Sequence, residues 1–203
     1  MTAPGVIASQ SADWRGNPSS PTIGCVLLAS GFSRRYGSNK LLSLRDGRPL
    51  YQHAFAALPA PRFTRAVVTS QYDEILAYGA AQGYTPLSNP DAAEGIAAGL
   101  RLGLTALQDL DGVLFAVCDQ PNLTTESISN LIKSFQQSPA RIHALSFQGR
   151  RGNPVLFPRP LYPELLALTG DTGGSAVLKR HPDLLTLVEA ASPAELEDVD
   201  RPD

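Results

Sequence analysis

The chain has 203 residues, enough for one domain with a sizeable core, and its 43% hydrophobic and 18% charged residues are those of an ordinary globular protein. A net charge of −2 excludes a general attraction to nucleic acid or to an anionic membrane surface, so any positive potential has to be local. Its two cysteines cannot make a disulfide framework, and neither an apolar run of about 20 residues nor a charged-then-apolar leader is present. A cytoplasmic protein acting on a small molecule, with no nucleic-acid or membrane partner, is the expectation.

Residues 1–22 mix Ser, Pro, Gly and Ala around a single Trp14 and read as a flexible arm preceding one domain over residues 23–203. From there apolar runs alternate with helical patterns. A strand is expected over 23–29, a helix over 50–58, a strand over 65–70, a helix over 72–82 and a short strand around Tyr84. A helix over 93–107 follows, placing Ile96, Leu100, Leu104 and Leu107 on one face. Then come a strand over 113–117 and a helix over 124–135. Around residues 142–157 a turn at 149–152 separates two apolar runs, which predicts a hairpin. Cys25 and Cys118 each lie inside an apolar run and are expected to be buried thiols, while His53, His143 and His181 are too scattered to form a metal cluster. Near-continuous apolar strands alternating with helices argue for an α/β fold with a mostly parallel sheet covered on both faces. In such a sheet ligands gather at the carboxyl ends of the strands, where residues 30–40 and Asp119 both fall.

The stretch 27–42, LLASGFSRRYGSNKLL, runs from an apolar strand into a loop with two glycines, two arginines and a lysine. Gly31 and Gly37 permit sharp turns and close backbone approach, and Arg34, Arg35 and Lys40 supply positive charge, a combination suited to a nucleoside triphosphate. It is not a P-loop, because Ser38 and Asn39 separate Gly37 from Lys40 and Leu41 follows the lysine. Nor is it a dinucleotide fingerprint, whose third glycine is missing.

This loop resembles the LA(A/G)GxSxRxGxxK signature of nucleotidyltransferases that attach a nucleotide to a phosphorylated acceptor, and more narrowly a molybdenum cofactor cytidylyltransferase. Four further segments occur in the order such a family places them: NPDAAEGIAAG (89–99), CDQP (118–121), RGNPVLF (151–157) and LTGDTGGSA (168–176). The resemblance covers residues 23–203 and implies a three-layer α/β/α, Rossmann-like, GT-A-like fold. It implies transfer of CMP from CTP to a molybdopterin-type acceptor, with Mg2+ as cofactor and pyrophosphate as leaving group.

By this likeness Lys40, Arg35 and Asp119 are catalytic, and Leu28, Ala29, Ser30, Gly31, Ser33, Arg34, Gly37, Asn89 and Gly95 hold the nucleotide. Asp119 emerges where Gln120 and Pro121 end the strand, and would bind the metal rather than cap the next helix, a role for which Thr124 or Thr125 stands closer. The tail EDVDRP resembles a D(I/V)DTPED segment with Arg201 in place of Thr, which makes Asp200 the second metal ligand and Asp198 the alternative. Arg151, Asn153, Gly170, Asp171 and Gly173 would contact the acceptor, although turn chemistry also accounts for them. Helix capping accounts equally well for Asn89 or Asp91. Ser30 departs from both the LAAG of cytidine members and the LAGG of guanosine members; its bulk favours CTP over GTP. A guanylyltransferase using GTP, transfer to another phosphorylated acceptor, and a non-catalytic cofactor carrier are the alternative readings. Transient docking to a molybdenum hydroxylase is a further implication of the family.

Overall fold

The computed structural model describes residues 20–31 and 39–199. The arm expected over residues 1–22 therefore lies mostly outside the described residues, but its last residue does not. Thr22 donates its N–H and its hydroxyl to Asp111 Oδ2, at 2.8 and 2.7 Å, and so leads the chain into the sheet.

The elements alternate as the apolar pattern requires. Strand β1 (Ile23–Leu28) is followed by a small hairpin of β2 (Leu44–Arg45) and β3 (Arg48–Pro49) and by helix α1 (Leu50–Ala57). Next come β4 (Arg65–Ser70), α2 (Asp73–Ala81), β5 (Thr85–Ser88) and α3 (Ile96–Thr105). The second half holds β6 (Gly112–Val117), α4 (Thr125–Gln137), β7 (Ile142–Phe147), β8 (Arg150–Pro158), α5 (Tyr162–Leu166), α6 (Ser175–Arg180) and β9 (Leu185–Glu189).

Among the described residues the main sheet has the order β5-β4-β1-β6-β8-β7-β9. Strands β5, β4, β1 and β6 are mutually parallel, β8 is antiparallel to both β6 and β7, and β9 is parallel to β7. This is the three-layer α/β/α arrangement with a mostly parallel sheet that the sequence predicts. Alternate residues of β1 go to opposite faces: Cys25 and Leu27 pack with Phe55, Ile75 and Leu131, whereas Val26 packs with Leu100, Leu104 and Phe157. Helix α3 lies close on the sheet because Gly103 faces Val26 and Gly99 faces Thr69, where a larger residue would hold it off. Helix α4 is amphipathic, burying Ile128, Leu131 and Phe135, and starts at Thr124, whose hydroxyl accepts from Ser127 N–H.

Three expectations shift. The helix expected over 93–107 is a 3-10 turn, Ala92–Glu94, broken from α3 at Gly95 by a φ of +107°. Gly95 is required there, since a Cβ would lie 2.5 Å from both Gly170 and Asp171. Ile96 consequently does not join Leu100, Leu104 and Leu107 in the core but stands 39% exposed. The hairpin turns at Gln148 and Gly149, both with positive φ, so that residues 150–152 already belong to β8. Tyr84 is a buried core residue just before β5 rather than part of it.

Candidate active site

The carboxyl ends of β1, β4 and β6 open onto a cleft with two connected lobes. Its charged end is built by residues far apart in sequence. Strand β6 ends at Val117, and the chain then releases Asp119 while Gln120 and Pro121 turn away. Lys40 opens a 3-10 turn, Lys40–Leu42, that Asn39 caps by accepting from Leu41 N–H at 3.1 Å. Lys40 Nζ donates to Asp119 Oδ2 at 2.7 Å and to the Val199 carbonyl at 3.1 Å. Both side chains are less than one-fifth exposed, so this ion pair is less screened than a surface pair. Val199 N–H in turn donates to the Asp119 carbonyl at 2.9 Å.

Asp119 Oδ1 is buried and has no hydrogen-bond partner. An unpartnered buried carboxylate oxygen is costly unless something occupies it. Among the described residues no group of three or more His, Cys, Asp or Glu could hold a metal by itself. One carboxylate completed by phosphate oxygens and waters is, however, an ordinary magnesium or manganese environment, and the orphaned Oδ1 fits it. Asp119 does not cap α4, which Thr124 does.

The first lobe, about 310 Å3, runs from Lys40 and Asp119 past Leu28, Ser30 and Gly31 to Thr69 and Gly99. Ser30 is fixed from three sides: its hydroxyl donates to the Thr69 carbonyl and accepts from Asn89 Nδ2 at 3.0 Å, and its carbonyl accepts from Gln71 Nε2. Asn89 is buried and engaged in this way, and Asp91 makes no side-chain cap, so helix capping explains neither residue. Ala29 is buried and holds the strand end through its N–H to the Thr69 carbonyl. Gly95 lines the lobe at its junction with the 169–174 loop, where Ala97 N–H donates to the Gly170 carbonyl at 3.1 Å.

The second lobe, about 280 Å3, has apolar walls from Leu100, Phe115, Val155 and Phe157 and a polar rim of Arg151, Asn153, Gly173 and Ser175. Leu28, Ile96, Val117 and Asp171 line both lobes. The predicted acceptor residues thus gather at one place, except that Gly170 acts through its carbonyl on α3 and is not in the wall.

Ser33, Arg34, Arg35, Gly37 and Asp200 lie outside the described residues; Asp198 is described and exposed. Three participants carried no sequence signal: Thr69, whose buried Oγ1 has no partner, the Val199 carbonyl on Lys40, and Ile96 as a wall of the cleft. The histidines are satisfied structural residues. His53 contacts the Arg45 carbonyl, His143 sits between Ser134 and Ser138, and His181 contacts Glu164.

Residues 25–184 match the family described as MobA-like NTP transferase domain. The chain belongs to that family. Curated relatives include a nicotine blue oxidoreductase of Paenarthrobacter nicotinovorans, 26% identical over 91% of this chain and 95% of that one. The purine catabolism protein PucB of Bacillus subtilis is 26% identical over 91% and 94%, and a molybdenum cofactor guanylyltransferase of Shewanella loihica is 29% identical over 68% of each chain. Among solved structures, a homologue of Mycobacterium tuberculosis Rv0371c from Mycobacterium sp. strain JC1 superposes with a TM-score of 0.70 at 25% identity, covering 88% and 90%. Rv0371C in complex with manganese gives 0.67 at 21% identity, covering 88% and 95%. This MobA-like chain is therefore a nucleotidyltransferase by family, with the fold of the solved structures it superposes on. Among its described residues no helix is long and apolar enough to cross a membrane.

Proposed function

We propose that this protein transfers CMP from CTP to a phosphorylated, molybdopterin-type acceptor. The observation that carries the reading is the pairing of Lys40 with Asp119 beside the unpartnered Asp119 Oδ1, at the mouth of a cleft with two lobes. The first lobe suits the nucleotide and the second the acceptor. A terminal phosphate oxygen of the acceptor forms a bond to the α-phosphorus of CTP as the bond to the bridging oxygen breaks, and pyrophosphate leaves with that oxygen.

No protein nucleophile is needed, so catalysis is positioning and charge neutralisation. Asp119, with Asp200 or Asp198 from the tail, would hold magnesium, which when bound neutralises phosphate oxygens. Lys40, leaving Asp119 for the α-phosphate, supplies positive charge where the transition state gathers negative charge, and Arg34 and Arg35 serve the departing pyrophosphate. Arg151 and Asn153 orient the acceptor, with the apolar wall excluding water beside them. Ser30 favours the smaller base, because its hydroxyl is held in place by Asn89 and fills space that a glycine would leave to a purine.

The test is thermal stabilisation of the purified protein by CTP, GTP, ATP and UTP with and without magnesium, followed by pyrophosphate release with molybdopterin. Selective, magnesium-dependent stabilisation by CTP is expected, and Asp119→Asn should abolish release while leaving the fold intact. A preference for GTP would move the assignment to the guanylyl branch, to which the Shewanella relative's name points. Release that survives Asp119→Asn would remove the metal from the scheme. Redox turnover in the absence of any nucleoside triphosphate would instead favour the oxidoreductase named for the Paenarthrobacter relative.

A further inference from the structure

We infer that Glu195 is a positioning residue for the transfer centre: it fastens residues 190–199 as a strap that holds Lys40, Asp119 and the Gly152 segment in register. The inference rests on the nucleotidyl-transfer reading for what the positioned groups do.

Glu195 lies on a 3-10 turn, Pro193–Leu196, and is only 1% exposed. Carboxylates are seldom buried so completely without a cation. Here three donors take its place. Oε1 accepts from Ala191 N–H at 2.9 Å, and Oε2 accepts from Thr124 N–H at 3.1 Å and Thr124 Oγ1 at 2.8 Å. The Thr124 hydroxyl also accepts from Ser127 N–H, so the carboxylate is seated on the positive end of α4 through its cap. A buried ionised group is a poor way to gain stability compared with an apolar one of similar size. What this arrangement supplies is direction, since each carboxylate oxygen faces a fixed donor.

From that anchor the strap reaches both lobes. The Leu196 carbonyl accepts from Gln120 Nε2 at 3.4 Å, the residue after Asp119. The Leu196 side chain lies on Gly152, where an added Cβ would come within 2.8 Å of Leu196 Cδ2, and Gly152 sits between the second-lobe residues Arg151 and Asn153. Val199 then closes the arrangement, its N–H on the Asp119 carbonyl and its carbonyl on Lys40 Nζ. One segment thus touches the metal-facing carboxylate's own backbone, the lysine paired with it and the acceptor strand.

The test measures Mn2+ binding in the presence of CTP, by the loss of free Mn2+ signal in electron paramagnetic resonance, for wild type, Glu195→Gln and Val199→Pro. Gln keeps the volume but places an N–H2 against a donor; Pro removes the Val199 N–H that reaches the Asp119 carbonyl, while also fixing φ there and restricting Asp198. Both variants should weaken Mn2+ binding by roughly fivefold or more, the scale of one lost positioning hydrogen bond, well below the melting temperature. Thr124→Ser, which keeps the hydroxyl, should bind as wild type does. Should Glu195→Gln fail to fold, Val199→Pro carries the test alone. A lowered melting temperature with unchanged Mn2+ binding in both variants would make Glu195 a structural anchor and overturn its positioning role. Absence of any Mn2+ binding with CTP in the wild type would overturn the nucleotidyl-transfer reading itself, and the strap's role with it.

Discussion

Gly103→Ala tests how tightly α3 is seated. The new methyl would lie 2.4 Å from Val26 Cγ1, 2.9 Å from Cγ2 and 3.2 Å from Cβ. Carbon atoms settle at about 3.5–4.0 Å, so the shortest contact is too close by more than 1 Å. Val26 is fully buried on an interior strand, and its branched side chain is stiff and packed on every side, so it has little room to yield. The helix has to lift. Overpacking of this kind costs about 1–3 kcal/mol, against about 1 kcal/mol gained by replacing a helical glycine with alanine. A net loss of about 1 kcal/mol is expected, or about 2–4 °C in melting temperature for a domain of this size. The decisive assay is a double-mutant cycle with Val26→Ala in urea. Val26→Ala alone leaves a cavity costing about 2 kcal/mol, but in the double variant the added methyl occupies the space that valine vacates. The pair should therefore be more stable than the sum of the singles by about 1–2 kcal/mol. An additive cycle, or a Gly103→Ala protein more stable than wild type, would refute the packing argument.

Other outcomes follow from the site and the core. Burial pushes the Cys25 thiol up to about 12 and Cys118 well above its ordinary value, and Tyr84 rises for the same reason. The native protein should accordingly resist alkylation at pH 8 until denaturant is added, and rapid modification of the native state would contradict the packing. With folded values raised, the unfolded chain ionises first. Stability is thus intact below about pH 8.5 and declines as pH rises toward 12; urea midpoints that hold steady across that window would contradict the sign. Asn153→Ala should leave CTP-induced thermal stabilisation as it is while raising the KM for the acceptor about tenfold, the worth of one or two hydrogen bonds. Equal loss of CTP binding would show that the two lobes do not divide the substrates. Lys40→Met should lower the turnover number more than it raises the KM for CTP, since its charge matters most in the transition state.

Much of the fold was legible because the strands are near-continuous apolar runs bounded by clear breaks. The expected span for β4 coincides with the observed one, and β1, α1, α2, β6 and α4 end within a residue or two of their expected bounds. Strand β9 was not anticipated: Leu185–Glu189 is a five-residue run, partly exposed at a sheet edge and paired, among the described residues, with β7, and so short an apolar run is ambiguous by periodicity. Helices α5 and α6 are too short for a hydrophobic period to register. That Lys40 and Asp119 would be neighbours was legible because the loop carrying one and the residue after the strand carrying the other both fall at the carboxyl ends of parallel strands, whereas the roles proposed for them come from the family resemblance. Thr69 and Val199 were not, since an orphaned hydroxyl and a backbone carbonyl acquire their meaning only from what the fold sets opposite them. Ile96 misled because periodicity identifies a helix face but cannot tell the core from the wall of a cleft.

The reversed direction of β8 has a consequence for how such a protein diversifies. Strands parallel to β6 deliver to the cleft the residues that follow them, whereas β8 delivers those that begin it, Arg151 and Asn153, on the tip of its hairpin with β7. Apart from Asp171, the polar side chains of the first lobe all come from residues 30–119. The hairpin tip is consequently an exchangeable cassette: grafting residues 148–153 from a relative that keeps Gly152, on which Leu196 rests, should retune the second lobe without disturbing Lys40 or Asp119. A single nucleotide-handling chassis could in this way acquire new acceptors through a change in one turn.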